Sequence, residues 1–438
     1  MRISVIGCGY LGAVHAASMA ELGHDVVGID VDERKISSLS AGVAPFFEPG
    51  LPEILSTASA SGRLTFTTDM SAAAIADVHF IAVGTPQKAG SYSADMTYVD
   101  AALDSLLPFL KAGDLVVGKS TVPVGTAARL AERVHEAAPG AELAWNPEFL
   151  REGFAVKDTI SPDRLVYGVS DDAESGARSK ALLDEVYAKA IGEGTPLVVT
   201  DYATAELVKV SANAFLATKI SFINAIAEIA EVTGANVTEL ADAIGFDTRI
   251  GRRFLNAGIG FGGGCLPKDI RAFGARAEEL GRGESLSFLK EVDAINLRRR
   301  QRVVDLVVEL LGGQAFEKRV AVLGLAFKPD SDDIRDSPAL DIAVQLNGLG
   351  ADVLATDPEA IANAHAKHPQ LVFVESLEDA VRDAEVVLLL TEWADYRRLV
   401  PDDIESLVAG KRIIDGRNVL DSQQWRSAGW DYRAMGRP

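Results

Sequence analysis

The sequence predicts an α/β protein in which two doubly wound parallel sheets flank a central helical region. Up to about residue 200, short β-branched runs alternate with longer amphipathic segments rich in Ala and Leu, the pattern of βαβ units. Helical periodicity without a strand signal follows, and strands return at KRVAVLGL (318–325). We therefore divide the chain into residues 1–200, 201–313 and 314–438.

Seven runs in the first region have the composition of strands: RISVI (2–6), DVVGID (25–30), VHFIAV (78–83), DLVVGKS (114–120), ELAWN (142–146), RLVYGV (164–169) and PLVVTD (196–201). The middle region contains two long helical stretches, over residues 203–232 and 285–311. A third helix is predicted over residues 266–281, with Pro267 in its first turn.

The two end regions share a short internal repeat. GHDVVGID (23–30) and GADVLATD (350–357) have the same G-x-D-V-x-x-x-D pattern, each after a predicted strand and helix. A helix end feeding a buried strand also recurs, at residues 72–86 and 380–393. The repeat predicts two related sheets that arose by duplication.

Bulk composition favours a small-molecule partner. A formal net charge of -20 opposes a polyphosphate backbone and disfavours nucleic-acid binding. Two cysteines, Cys8 and Cys265, cannot build a disulfide framework and fit a reducing, cytoplasmic location. The N-terminus lacks signal-peptide features and no apolar run approaches membrane-spanning length, so we expect no membrane partner. We also expect no metal.

A dinucleotide fingerprint follows the first predicted strand. Gly7, Gly9 and Gly12 form G-x-G-x-x-G at the start of a helix, where backbone N–H groups face a pyrophosphate. Asp30 ends the second strand, 18 residues after Gly12, and is placed to accept the ribose hydroxyls. Its charge would repel a 2'-phosphate, so NAD is favoured over NADP, with FAD as the main competitor.

Polar residues follow the next three strands of the first region. Thr85, Thr121, Glu148 and Glu152 lie in VGTPQ, KSTVPVGT and WNPEFLREG, which we expect on one rim because ligands gather at the carboxyl ends of parallel strands. The alternative is ordinary turn chemistry.

The second predicted sheet lacks the glycine fingerprint. Only Gly324 remains after its first strand, so a second dinucleotide is not expected. Lys328 and Arg335 place cations at the sheet end and in the following loop, which suits a phosphate group or, alternatively, a solvated surface.

Cys265 stands in a context that is unusual for a packing residue. It follows a glycine run in GFGGGCLPKD and precedes the predicted helix of residues 266–281, whose N-terminus would stabilise a thiolate. The alternative is a small buried hydrophobe. Lys209 and Asn213 are four residues apart and share one helical face.

These motifs, together with FFEPGL, GLAFKPDSDDIRDSP and DGRN, occur in the order found in the UDP-glucose/GDP-mannose dehydrogenase family, which the chain resembles nearly end to end. The resemblance implies an NAD-binding Rossmann domain over residues 1–200, a helical dimerisation region over 201–313 and a Rossmann-like UDP-sugar-binding domain over 314–438. It implies a homodimer or a higher homo-oligomer. It also implies an NAD-dependent, four-electron oxidation of a sugar C6 alcohol to a carboxylate. UDP-glucose is the favoured substrate.

The resemblance gives Cys265 the role of nucleophile, which traps the intermediate aldehyde as a thiohemiacetal and then forms a thioester. Lys209 would stabilise oxyanions, with Asn213 supporting that geometry. Asp269, with Thr121 holding a water, resembles the proton-handling group, and Glu148 the acid/base for thioester hydrolysis.

Further contacts are carried over from the same motifs. Cofactor contacts are implied for Gly7, Gly9, Tyr10, Leu11, Gly12, Asp30, Lys35, Thr85, Thr121, Glu152, Lys268 and Arg335. Substrate contacts are implied for Glu148, Phe149, Leu150, Arg151, Lys209, Asn213, Arg249, Asn256, Gly260, Phe261, Gly262, Lys328 and Arg417.

One of these residues, Arg249, is expected to reach the neighbouring subunit's site. Two positions depart from the family pattern: Gly264 stands where many relatives have Ser, and Asn256 where some offer Lys. GDP-mannose and UDP-N-acetylmannosamine remain rival substrates. A two-electron β-hydroxyacid-type dehydrogenase and an inactive NAD-binding scaffold remain alternative functions.

Overall fold

A computed structural model describes residues 1–438. The chain folds as two compact units, one of residues 1–212 with 275–281 and the other of residues 213–274 with 282–438. The three-region division at residues 200 and 313 stays a prediction. The predicted class, α/β with two doubly wound sheets and a helical middle, is confirmed.

The first unit contains one eight-stranded sheet in the order β3-β2-β1-β4-β5-β6-β7-β8. Neighbouring strands are parallel except β6 and β7, where Trp145 lies antiparallel to Gly168. The strands are β1 (Arg2–Ile6), β2 (Asp25–Ile29), β3 (Leu64–Thr67), β4 (Val78–Ile81), β5 (Leu115–Gly118), β6 (Glu142–Trp145), β7 (Leu165–Val169) and β8 (Leu197–Asp201).

All seven predicted strands are present, and β3 is an addition. It is an edge strand of which only Leu64 is buried, so the sequence carries little apolar signal there. In contrast, β4 and β5 are buried along their whole length, as parallel strands covered on both faces by helices are.

Helices cover both faces of this sheet. They are α1 (Tyr10–Glu21), α2 (Glu33–Ser40), α3 (Leu51–Ala60), α4 (Thr97–Leu106), α5 (Thr126–Ala137), α6 (Ala155–Ile160), α7 (Ala173–Val186) and α8 (Ala188–Gly192). Two separate apolar cores pack on the two faces.

The middle of the chain is helical, as predicted. Its helices are α9 (Tyr202–Thr233), α10 (Val237–Gly245), α11 (Leu266–Glu279) and α12 (Phe288–Leu310). The expectation that no apolar run approaches membrane-spanning length was wrong for α9, which is long and apolar enough by length and composition alone. Core helices pass the same test, so this helix is weak evidence for a membrane span.

The second unit contains a fully parallel six-stranded sheet in the order β11-β10-β9-β12-β13-β14. Its strands are β9 (Arg319–Leu323), β10 (Asp352–Thr356), β11 (Val372–Phe373), β12 (Val386–Leu389), β13 (Arg412–Asp415) and β14 (Asp431–Ala434). Its helices are α13 (Pro338–Gly348), α14 (Ile361–Lys367), α15 (Leu377–Val381), α16 (Ala394–Arg397), α17 (Pro401–Ile404) and α18 (Ser422–Ser427).

The predicted internal repeat occupies equivalent places in the two sheets. The order of the second sheet matches that of the first six strands of the first, and the repeated segments form β2 and β10. Gly7 and Gly324 both have positive φ, and their N–H groups donate to the last carbonyl of those strands at 2.8 Å. Asp30 and Asp357, which end the repeats, both accept backbone N–H bonds from the preceding βα loop. These shared details support duplication.

Candidate active site

The loop between β1 and α1 has the geometry that a pyrophosphate needs. Gly7 has a φ of 90°, and a Cβ on Gly12 would lie 1.8 Å from the Gly7 carbonyl oxygen, so only glycine lets the helix approach the loop. A Cβ on Gly9 would meet nothing within 4 Å. No side chain caps the N-terminus of α1, so its first N–H groups can bind an anion.

Asp30 anchors this loop from the end of β2. Its Oδ2 accepts the Cys8 N–H at 2.8 Å and pairs with the Lys35 ammonium at 2.7 Å, while its Oδ1 accepts the Asp32 N–H at 3.0 Å. Cys8 is buried, and burial raises the pKa of its thiol to about 12, so this cysteine is an unreactive packing residue. Lys35 and Asp30 therefore come together, as their predicted shared role requires.

The predicted rim forms at the carboxyl ends of adjacent strands in the first unit. Thr85 follows β4, Thr121 follows β5, and Glu148 and Glu152 follow β6, which are neighbours in the sheet. The Thr85 hydroxyl donates to the Thr121 carbonyl at 2.8 Å. The three loops thus form one polar edge.

Glu148 and Lys209 form a largely buried ion pair in the same unit. The Glu148 Oε1 and Lys209 Nζ atoms lie 2.9 Å apart, and the two side chains are 15% and 7% exposed. The other oxygen, Oε2, accepts the Leu150 N–H at 2.8 Å. The rim therefore holds a carboxylate and a cation in one fixed geometry.

The rest of this loop is organised by cation contacts. The Arg164 guanidinium lies 3.8 Å from the centroid of the Phe149 ring, and the Lys209 ammonium lies 5.7 Å from the same centroid. Arg151 points elsewhere and pairs with Asp158 at 2.6 Å. Leu11, at the start of α1, lines the same cavity as Glu148 and Phe149.

Cys265 lies in the second unit and is exposed, so the alternative of a small buried hydrophobe was wrong. It directly precedes α11, and its carbonyl oxygen accepts the Asp269 N–H at 2.9 Å, the first intrahelical bond. The thiol therefore stands at the N-terminal end of a helix, where the macrodipole favours a thiolate.

Asp269 is the buried centre of a polar cluster in the same unit. Its Oδ2 accepts from the Asn213 side-chain amide at 2.7 Å, and its Oδ1 pairs with the Lys268 ammonium at 2.7 Å. Asp269 is 1% exposed and Asn213 is 7% exposed. The structure thus places Lys268 and Asp269 in the first turn after Cys265, and it bonds Asn213 to that turn.

The glycine run before Cys265 is required by packing within the second unit. A Cβ on Gly260 would lie 2.4 Å from the Asn296 Oδ1 atom, and one on Gly262 would lie 2.3 Å from the Asp336 carbonyl oxygen. Phe261 exchanges backbone bonds with the Asn296 amide at 2.7 and 2.9 Å. These positions require glycine because other atoms of the same unit pack closely against them, and not only for the approach of a ligand.

Gly264, which departs from the family pattern, faces the Arg335 guanidinium. A Cβ there would lie 2.3 Å from the Arg335 Cζ atom, although the guanidinium is the far end of a flexible side chain. The same guanidinium pairs with Asp333 at 2.7 Å. The missing side chain thus makes room for a predicted cofactor contact.

Arg417 links three segments of the second unit. Its guanidinium donates to the carbonyl oxygens of Leu390, Gly260 and Phe327 at 2.7, 3.1 and 3.3 Å. Beside it, the Lys328 ammonium lies 5.4 Å from the Phe327 ring centroid. Arg417 therefore holds the glycine run against the loop that carries Lys328.

Two further predicted residues lie apart from these clusters. The Arg249 side chain is 88% exposed and pairs with Asp247 at 2.6 Å. The Asn256 Oδ1 atom accepts from Arg252 at 2.8 Å. Neither of these partners is a predicted site residue.

Comparison with known proteins accounts for these features. Three family models match the chain in order: the UDP-glucose/GDP-mannose dehydrogenase NAD-binding domain at residues 1–191, the central domain at 203–298 and the UDP-binding domain at 321–422. The chain belongs to the UDP-glucose/GDP-mannose dehydrogenase family. It is an oxidoreductase of this family, and its cofactor is NAD.

Relatives in the UDP-glucose/GDP-mannose dehydrogenase family cover the whole chain. The UDP-glucose 6-dehydrogenase of Rhizobium meliloti is 41% identical over 441 residues, which span all of both chains. A UDP-glucose dehydrogenase structure from Pyrobaculum islandicum is 39% identical, with a TM-score of 0.90 over 100% of this chain and 98% of that one. A UDP-D-ManNAc dehydrogenase from Pyrococcus horikoshii is 27% identical, with a TM-score of 0.86 over 100% and 99%.

Sequence reasoning missed residues that hold the family's motifs in place. Glu48, buried in FFEPGL, accepts the Gly153 and Ala155 N–H groups at 2.7 Å and the Tyr10 hydroxyl, so it ties the loop after β6 to the first turn of α1. An acidic residue inside an apolar motif was the available signal. That signal drew attention to the motif, but it could not show that Glu48 bonds to residues more than a hundred positions away.

Glu206 performs a similar task three residues before Lys209. It accepts the Gly125 and Ala127 N–H groups at 2.8 and 2.6 Å and so caps the N-terminus of α5 from α9. Burial raises the pKa of Glu206, although these amide bonds act in the opposite direction. The loop of Thr121 is thereby fixed to the helix of Lys209.

Proposed function

We propose that the chain oxidises UDP-glucose at C6 to UDP-glucuronate through a covalent intermediate on Cys265. The observation that carries the proposal is the exposed thiol at the N-terminus of α11, with Lys268 and Asp269 in the next turn. Identity to UDP-glucose dehydrogenases is 41% and 39%, against 27% to the UDP-D-ManNAc dehydrogenase, which supports the choice of sugar.

Bound NAD supplies a hydride acceptor for each of the two oxidations. The residues fitted to hold it are those of the β1–α1 loop, with Asp30 at the end of β2. The Asp30 carboxylate, which is bonded to that loop and paired with Lys35 at 2.7 Å, suits ribose hydroxyls, and its negative charge disfavours a second phosphate.

Cys265 makes the second oxidation possible in this scheme. Its sulfur adds to the C6 aldehyde, an S–C bond forms, and the carbonyl oxygen takes a proton to give a thiohemiacetal. Loss of a hydride and of the hydroxyl proton leaves a thioester. Water then attacks the acyl carbon, the S–C bond breaks, and the carboxylate and the thiol are released.

Each remaining group has a role that fits its surroundings. The Lys209 ammonium, largely buried, stabilises the oxyanion that develops at C6. Asn213 and Lys268 hold the Asp269 carboxylate, which accepts the alcohol proton. Glu148 handles the proton of the hydrolytic water.

We also propose that the chain forms a homodimer through α9, in the cytoplasm. Phe215, Phe222 and Ile229 recur every seven residues in the second unit and are 66%, 51% and 59% exposed. Such spacing places them on one face of the helix, where a second copy would bury them. Arg249 is exposed, as a residue reaching a neighbouring subunit's site would be.

A panel of UDP-glucose, UDP-N-acetylmannosamine and GDP-mannose with NAD tests the proposed substrate. We expect the largest kcat/KM with UDP-glucose. A larger kcat/KM with UDP-N-acetylmannosamine or GDP-mannose would make that sugar nucleotide the substrate. If none of the three substrates yields NADH, the proposed reaction is wrong. Sedimentation of the Phe222→Glu variant tests the dimer, which should become monomeric if α9 is the interface.

A further inference from the structure

Lys119, directly after β5, carries a buried charge that no predicted role uses. The residue is 6% exposed. Its ammonium donates to the Asn146 side-chain oxygen at 2.9 Å and to the Tyr187 hydroxyl at 3.1 Å, and the Tyr187 hydroxyl donates to the same Asn146 oxygen at 2.6 Å. Both hydrogen-bond partners are neutral, so the positive charge is not cancelled where it lies.

Burying such a charge is costly for the fold. An ammonium transferred from water loses its hydration, and two neutral oxygens replace only part of it. The ammonium also lies 5.5 and 5.7 Å from the Phe80 and Tyr187 ring centroids, contacts that return some of that cost. A methionine of similar length would pack there without the desolvation cost, so retention of the charge indicates that it serves something other than stability.

The Lys119 cluster connects directly to the Glu148 loop. Asn146 is two residues before Glu148, and its side-chain NH₂ donates to the Val166 carbonyl at 2.9 Å, which fixes the start of the turn. Lys119 and Glu148 line the same cavity. Burial lowers the pKa of Lys119 to about 8. The charge of Glu148 acts to raise that pKa and the charge of Lys209 acts to lower it, so the three charged groups interact electrostatically.

Lys119 has two other ionisable neighbours in the core, His15 and Tyr187, and neither carries a negative charge that would attract its ammonium in place of Glu148. Burial lowers the pKa of His15 well below its usual value and raises that of Tyr187 well above it, so both are neutral near pH 7. The remaining charged residues that line the cavity are Asp158, Asp163 and Arg164. Of these, Asp158 is already paired with Arg151.

We propose that Lys119 is a positioning residue for the hydrolytic step: its buried ammonium, anchored on Asn146 and Tyr187, supplies a positive charge to the cavity that the Glu148 carboxylate lines. The proposal rests on the proposed function of Glu148. Without the cation, the cavity that Glu148 lines holds one positive charge fewer, and the thioester is hydrolysed more slowly at neutral pH.

The test compares Lys119→Gln, which keeps a donor but removes the charge, with the surface variant Lys180→Gln from the same unit. With UDP-glucose and NAD, Lys119→Gln should retain the rapid formation of two NADH per site. Its steady-state rate should fall about tenfold or more, and the acid limb of its pH profile should move upward by up to about one pH unit. Lys180→Gln should change neither quantity. An unmoved acid limb in Lys119→Gln overturns the proposal.

Two further measurements keep the result interpretable. Asn146→Asp places a carboxylate against Lys119 and should produce the same shift of the acid limb, even if Lys119→Gln does not fold. Thermal unfolding of Lys119→Gln, Glu148→Gln and the double variant needs no turnover. We expect their midpoints to be non-additive by about 2 °C or more, and additive midpoints contradict the coupling. An inactive wild-type protein with non-additive midpoints would refute the proposed function alone.

Discussion

Replacing Glu148 by Gln should stall the enzyme after both oxidations are complete. Gln has nearly the same volume but cannot exchange a proton at neutral pH, so hydride transfer should survive and hydrolysis should fail. In rapid mixing with UDP-glucose and NAD, we expect a burst approaching two NADH per site. The following steady state should be about 10²- to 10⁴-fold slower than wild type, the usual contribution of a general acid or base.

The stability cost of this substitution follows from the ion pair. Glu148 and Lys209 are 2.9 Å apart with side chains 15% and 7% exposed, so solvent screens the pair little. Removing one partner of a buried pair costs about 3–5 kcal/mol, and because the Gln oxygen still accepts one hydrogen bond we expect a loss of about 2–3 kcal/mol. Urea unfolding measures that loss.

A control variant separates the effect of losing an ion pair from the effect of losing proton transfer by Glu148. Glu142, on β6 in the same unit, is similarly shielded at 13% exposed and pairs with Arg178, but it lies at the other end of that strand. Glu142→Gln should lose stability without a slow release phase. Intact mass spectrometry of Glu148→Gln should detect a nucleotide-sugar adduct on Cys265. Absence of both the burst and the adduct would refute hydrolysis as the role of Glu148.

Three other substitutions and conditions give distinct outcomes. Cys265→Ser should abolish formation of the uronate while NAD binding, followed by calorimetry, stays unchanged; normal turnover would make the thiol incidental. Asp30→Ala should narrow the preference for NAD over NADP and weaken the β1–α1 loop, because the Cys8 N–H loses its acceptor at 2.8 Å; unchanged cofactor kinetics would refute that role. The pKa of Lys119 is about 8 in the fold against 10.5 ordinarily, so the unfolded chain binds more protons between these values. Unfolding free energy should therefore rise by up to about 3 kcal/mol from pH 8 to 10.5, and Lys119→Met should abolish that rise.

Local patterns predicted most of the fold because the strands and helices of βαβ units have a recognisable hydrophobic periodicity in the sequence. The seven strands of the first region, the helical middle and the repeat at β2 and β10 were all predicted. The edge strand β3 was not, because only Leu64 of its residues is buried. The helix of residues 266–281 was predicted from Pro267 and its periodicity, and it ends two residues earlier.

The candidate site was predictable where chemistry and motif coincide. Cys265, Asp30 and the rim residues follow strands or precede a helix, and such positions can be identified along the sequence. The supports of the site could not be found in this way. Glu48 reaches Gly153, and Glu206 reaches Gly125, across separations of 105 and 81 residues. Buried carboxylates of this kind need their distant partners before their roles become visible.

The most direct test of the account is the number of NADH molecules formed per UDP-glucose when the sugar is limiting and NAD is in excess. We expect two NADH per sugar, with UDP-glucuronate as the product, because Cys265 holds the aldehyde for a second oxidation. One NADH per sugar, with the free aldehyde released, would contradict the central role of Cys265.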